Sequence, residues 1–264
     1  MKSEKDTSWN KVADWYDDLL ESGGDSYQEK VIAPNLLRLI TPKTGMKILD
    51  LASGQGFFSR KFAAAGAEVI GVDSSEKLVE MARRRAAGDS VAPRLRFEVS
   101  DAGKIPFIKD GSMDAVAIVL ALQNIKDVAG VFAESARVLR AGGTLVFVLN
   151  HPAFRIPKQS SWGFDEKTKT QFRRVDEYLS ELSAEIEMHP GAPAAESRAG
   201  AHTLSFHRPL QFYFKALEKS GLVVARLEEW ISHKKSEPGP RAAAENKTRK
   251  EFPLFLAMVA VKTA

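Results

Sequence analysis

The run Asp50-Leu51-Ala52-Ser53-Gly54-Gln55-Gly56 sits between a short apolar stretch and a helical pattern. Glycines at such a point let a ligand approach the backbone closely. The free N–H groups that open the next helix favour a carboxylate or a phosphate. Asp73 closes the following apolar run, 17 residues after Gly56, and Ser74 comes next. An acid at that position accepts both hydroxyls of a ribose. Together these residues read as a site for a nucleoside-containing cofactor with an anionic arm. The dinucleotide fingerprint fits poorly, because the frame Ala52-x-Gly54-x-x-Phe57 puts a phenylalanine where a third small residue is needed. No G-x-x-x-x-G-K-[ST] occurs, which excludes a P-loop. His151, in Asn150-His151-Pro152-Ala153-Phe154, directly follows an apolar run. It is either a proton acceptor working near neutral pH or a side chain that fixes the Pro152 turn. The five histidines are scattered, and His202 and His207 lack a carboxylate partner motif, so no metal site is expected. With no cysteine, the chain has no disulfide, no Cys-ligated zinc, no iron–sulfur cluster and no thiolate nucleophile.

Apolar periodicity supplies the elements that must position these residues. Two helices are predicted over the first forty residues, ending at Thr41-Pro42. Strands follow at Met46–Leu51, Ala67–Val72, Leu95–Val99, Met113–Leu120 and Thr144–Leu149. Helices are expected over Gln55–Ala65, Ser75–Ala87 and Val128–Arg140, the last closed by Gly142-Gly143. Short apolar strands alternating with helices imply βαβ units, hence a doubly wound, mostly parallel α/β sheet. The stretch from His151 to Arg208 breaks the rhythm and is read as an insertion, partly helical around Asp176–Leu182. A helix at Pro209–Ser220 and strands at Leu222–Trp230 and Leu254–Val261 complete a seven-stranded sheet. The basic stretch His233–Lys250 is read as the loop between those two strands.

The 264 residues carry 38 Lys+Arg against 34 Asp+Glu, a net charge of +4, with 44% hydrophobic residues. These are ordinary globular values. The start shows no apolar signal region, and the longest apolar run, Ala115–Leu122, is far short of the roughly 18 residues of a membrane span. A cytoplasmic protein is the expectation. The basic run from Lys234 to Lys250 is diluted by Glu237 and Glu245 and lacks interleaved aromatics, so it is read as a solvated face and no specific nucleic-acid binding is expected.

The order of these motifs resembles the class I S-adenosylmethionine-dependent methyltransferases. Asp50 to Gly56 matches their D/E-x-G-x-G-x-G turn, with Ala52 in place of the first glycine, and Asp73 matches their ribose acid. Ser100-Asp101-Ala102 matches the adenine-binding turn. Val119-Leu120-Ala121-Leu122-Gln123-Asn124 matches the segment beside the reacting methyl, and Arg137 to Gly143 matches the family's lead-in to strand five. The resemblance implies S-adenosylmethionine as cofactor and S-adenosylhomocysteine as product. The implied cofactor contacts are Asp50, Ala52, Gly54, Gly56, Asp73, Ser74, Asp101, Ala102 and Leu120.

The segment Trp9 to Asp17 resembles the lid helix of the quinone-biosynthesis-like small-molecule group. Its Tyr16 either closes over the methionine arm or packs on the core. The chain then divides into lid helices (1–42), a cofactor-binding core (43–150), an acceptor-covering cap (151–208) and the rest of the core (209–264). The cap's six aromatics suit a small, flat or apolar acceptor, with Asn124, Trp162 and Tyr178 as expected contacts and His151 as the candidate base. The Asn/Asp-Pro-Pro-aromatic signature of DNA amino methylation is absent, as is the cysteine that pyrimidine carbon-5 methylation needs. An RNA methyltransferase, an NAD-dependent oxidoreductase and a non-catalytic S-adenosylmethionine-binding module remain as alternatives.

Overall fold

The computed structural model describes residues 9, 10, 13, 25–187 and 202–263. A single wide helical turn, Gln28–Ile32, runs into α1 (Ala33–Ile40), which stops at Thr41 in the left-handed conformation ahead of Pro42. There follow β1 (Lys47–Leu51), α2 (Phe57–Ala64), β2 (Glu68–Asp73), α3 (Glu76–Ala87), β3 (Leu95–Val99), β4 (Met113–Val119), α4 (Val128–Val138) and β5 (Leu139–Asn150). Then come β6 (Ser160–Asp165), β7 (Thr170–Val175), β8 (Leu182–Glu187), β9 (His202–His207), α5 (Leu210–Lys219), β10 (Leu222–Trp230), α6 (Ala242–Glu251) and β11 (Phe255–Lys262).

Seven strands form one sheet in the order β10-β11-β5-β4-β1-β2-β3. All run parallel except β11, which is antiparallel to both β10 and β5. Successive side chains of a strand point to opposite faces, and both faces of this sheet are covered. Leu49, Leu51, Val116, Ile118 and Phe147 face one core with α4 and α5. Ile48, Ala115, Ala117, Val146 and Val148 face a second core with α1 and α2. The strand order reverses at β1, between β4 and β2. In an open α/β sheet the crevice at the carboxyl ends of the strands beside that reversal is where ligands bind.

Three expectations need correction. The helix before strand five ends at Val138, and Leu139 already pairs with Met113, so β5 begins well before Thr144. Gly142, at φ +71°, lies where the β4–β5 register shifts; it lets the early strand bend rather than closing a helix. The cap contains no helix around 176–182. It forms two antiparallel hairpins, β6–β7 and β8–β9, with Glu177 in the left-handed region of the turn between them. The basic stretch is not a loop throughout, because 242–251 is helix α6. Ala242-Ala243-Ala244 are strong helix formers, and Glu245 near the start with Arg249 and Lys250 in the last turn complements the helix dipole.

Candidate active site

The glycine turn is held from two sides. Ala52 (φ +59°) and Gly54 (φ +56°) both take left-handed backbone. For alanine that conformation costs on the order of 1 kcal/mol relative to glycine. The β1–β2 pairing and the Asp73 side chain hold the turn in place. Asp73 Oδ2 accepts the Gly54 N–H at 2.8 Å, and Oδ1 accepts the Ser75 N–H at 2.9 Å. The Ser74 N–H also bonds this carboxylate, and of its roughly four acceptor sites one remains for a ligand. Ser75 caps α3 by accepting from Leu78 N–H, and its hydroxyl donates to Asn10 Oδ1 at 2.5 Å. Asn10 is thereby tied to the rim of the cavity. Ala13 is buried with Leu78 and Met81 beside it, and Trp9 packs against them.

Asp50 lies beneath the turn, 1% exposed, and accepts the Ser59 hydroxyl at 2.5 Å. Burial pushes its carboxyl up to about 7; the Ser59 hydrogen bond opposes that rise and the nearby Asp73 charge adds to it. Burial also raises Asp73, against its backbone N–H donors. At the third strand end, Asp101 Oδ1 accepts the Gly103 N–H at 2.7 Å, and Ser100 N–H donates to Asp73 O at 3.0 Å. At the fourth, Leu120 is left-handed (φ +54°) and donates its N–H to Val148 O. Its carbonyl accepts from Gln123 Nε2 at 2.6 Å and Asn124 Nδ2 at 3.5 Å.

A cavity of about 470 Å³ opens over these strand ends. Ala52, Gly54, Asp73, Ser74, Asp101, Ala102, Leu120 and Asn124 all line it, with Trp9, Leu204 and Phe206 on the far side. Asp50 and Gly56 do not. Asp50 supports the turn from below. Gly56 is small because Phe97 lies against it, and a Cβ there would stand 2.8 Å from the ring. A second cavity of about 400 Å³ shares Trp9, Leu120 and Asn124 with the first. Its other walls include Gln123, Asn150, Arg155, Ile156, Arg173, Thr203 and Ser205. Strand β9 separates the two, with Thr203 and Ser205 on the second cavity and Leu204 and Phe206 on the first.

The structure brings most of the residues expected at the cofactor to the first cavity and leaves several expected acceptor residues outside both cavities. The Tyr178 hydroxyl is engaged within the protein: its oxygen accepts the Leu210 N–H at the start of α5 (3.1 Å), and its ring meets His207. Trp162 lies behind the second cavity, carrying the Arg173 guanidinium 4.9 Å from its ring centroid and meeting Phe252 edge-on. His151 is 2% exposed. Its Nδ1 accepts the Ala153 N–H at 3.2 Å and its Nε2 bonds Glu229 Oε1 at 2.7 Å, so neither nitrogen is left to take a substrate proton. Desolvation lowers its pKa, with Glu229 opposing. That geometry supports the turn-fixing role over the base. Tyr16 lies outside the described residues. Among the described residues no group of three His, Asp or Glu is placed to hold a metal ion, and no helix is long and apolar enough to cross a membrane. Arg155 and Arg173 went unnoticed in the sequence, because nothing there joins a residue after strand five to one in a hairpin eighteen positions on.

A glycine turn clasped by Asp73, an acidic turn after β3 and a left-handed residue just past β4 converge on one cavity at the carboxyl ends of the strands. The family model described as "Methyltransferase domain" matches residues 49–147. A demethylmenaquinone methyltransferase from Clavibacter sepedonicus is 43% identical over 109 residues, 41% of this chain and 43% of its own length. One from Beutenbergia cavernae is 30% identical over 187 residues, 70% of each chain. The crystal structure of an S-adenosylmethionine-dependent methyltransferase from Mesorhizobium loti superposes with a TM-score of 0.66 at 26% identity, covering 90% of this chain and 98% of that one. The chain belongs to the class I S-adenosylmethionine-dependent methyltransferases, in their quinone-biosynthesis-type group. It spans about half the length of several of the curated relatives it matches.

Proposed function

We propose that the protein transfers the sulfonium methyl group of S-adenosylmethionine to a small-molecule acceptor held in the second cavity. The observation that carries this reading is the meeting of the two cavities at Leu120 and Asn124. A methyl donor in the first and a nucleophile in the second would face each other there. The cofactor's residues fit: the remaining acceptor site of Asp73 suits a ribose hydroxyl, Asp101 suits an adenine amino group, and the Ala52–Gly54 backbone suits a carboxylate. When bound, S-adenosylmethionine supplies an already activated methyl. The chain's task is to align the acceptor in line with it and to exclude water. With both His151 nitrogens engaged, alignment carries the mechanism, and an acceptor atom that is already nucleophilic is the one served. The names of the relatives make a quinol-type ring the first acceptor class to test.

The test is incubation of the purified chain with S-adenosylmethionine carrying a labelled methyl group and a panel of quinols, phenols and aromatic acids. Label in a product, with stoichiometric S-adenosylhomocysteine, is the expected result. A chain that fails to bind S-adenosylhomocysteine by calorimetry overturns the reading.

A further inference from the structure

The second cavity holds two guanidinium groups and, among the described residues, no carboxylate on its walls. Arg173, on β7, is fixed at three points. Its Nε donates to Phe154 O at 2.8 Å, its Nη2 donates to Ser160 Oγ at 2.6 Å, and its plane lies over Trp162. Two of its five N–H groups are spent in this way, and three remain. Arg155, four residues beyond His151, has no side-chain hydrogen bond or salt bridge to any described residue. The other polar walls, among them Gln28, Gln123, Asn150 and Ser160, are neutral. Burial lowers the pKa of both arginines, and Arg155 adds to that of Arg173 through repulsion of like charge. Two cations drawn partly out of water without an anion are unfavourable unless a third party completes them. Planar, bidentate N–H donors match carboxylate and phosphate oxygens.

We propose that the acceptor is a compact anion whose carboxylate or phosphate sits between Arg155 and Arg173, leaving its nucleophilic atom toward Leu120 and Asn124. This rests on reading the second cavity as the acceptor site. It departs from the neutral quinol ring as first acceptor class and puts in its place, from the same panel, an acceptor that carries an oxyanion. The pair acts as a specificity determinant: an uncharged analogue of the same shape leaves two guanidiniums unpaired and binds worse.

The experiment uses the full chain saturated with S-adenosylhomocysteine and titrated by calorimetry with benzoate and, separately, inorganic phosphate at constant ionic strength. Binding of benzoate alone assigns a carboxylate, and binding of phosphate alone a phosphate; either supports the proposal. Arg155→Gln and Arg173→Gln should each weaken that binding about tenfold or more, with affinity for S-adenosylhomocysteine unchanged. Arg155→Lys should recover part of the loss by keeping the charge. Circular dichroism of each variant establishes that it is folded. The proposal is overturned if neither anion binds the wild type at about 10 mM, or if both arginine substitutions leave anion binding unaltered. If S-adenosylhomocysteine itself does not bind, the methyltransferase reading fails, and the same titrations on the unliganded chain still decide the arginine site.

Discussion

Two buried carboxylates control the cofactor turn, and each makes its own prediction. Asp73 orders the loop through the Gly54 and Ser75 N–H groups, and under the proposed function its remaining acceptor capacity would face a ribose. Asp73→Ala should weaken S-adenosylmethionine by about 1–3 kcal/mol, read by calorimetry on a folded variant; unchanged affinity would remove Asp73 from the site. Asp50 titrates at about 7 in the fold against an ordinary 3.8. The folded state therefore holds more protons between those values. The stability this contributes is full below about pH 4 and is lost as the pH rises toward 7. Urea midpoints of the wild type should fall across that window, and Asp50→Asn, which cannot ionise, should flatten its part of the slope. Equal slopes in the two proteins would show that Asp50 is not the group responsible. His151→Gln loses the Glu229 bond and should cost about 1 kcal/mol of stability. A larger effect on single-turnover methyl transfer than on stability would restore His151 as a base.

At the scale of elements, the α/β rhythm was legible because the central strands are short apolar runs, from Ile48-Leu49 to Phe147-Val148, and periodicity reports burial directly. The glycine turn was legible because Gly54 and Gly56 take left-handed backbone that glycine adopts freely, though Ala52 shows that the residue type is not forced at every such position. The cap was not. In β7, Thr170-Gln171-Phe172-Arg173-Arg174-Val175 has no clean alternation, because its arginines serve the cavity and the solvent rather than a core. In β8, Leu182, Ala184 and Ile186 do alternate with polar residues, a strand signal that the charged stretch before it obscured. Helix α6 rests on β7, and Phe252 just beyond it meets Phe154 and Trp162 edge-on. Phe252→Ala should loosen the β6–β7 hairpin at a cost of about 2 kcal/mol. Faster amide exchange confined to 160–175 is the expected signature, whereas uniform exchange across the central sheet would show that Phe252 supports the whole core instead.

For the whole molecule, the +4 charge is spread over a long surface, and the basic stretch is partly a solvated helix. Binding to RNA should therefore be weak and fall steeply between low and physiological salt; tight, sequence-selective binding at physiological salt would instead point to a nucleic-acid acceptor. Strand β9 carries a consequence for how such an enzyme can diversify. Its side chains alternate, so Thr203 and Ser205 belong to one chamber and Leu204 and Phe206 to the other. With donor and acceptor in the two chambers as proposed, a thin partition with two independently coded faces would let the odd-numbered letters drift toward new acceptors while the even-numbered ones went on facing the methyl donor. A single-residue insertion ahead of the strand would exchange the two sets, placing the hydroxyls in the first cavity and the bulky side chains in the second. Substitution is thus an open route to new chemistry along this wall, and a change in length is a closed one.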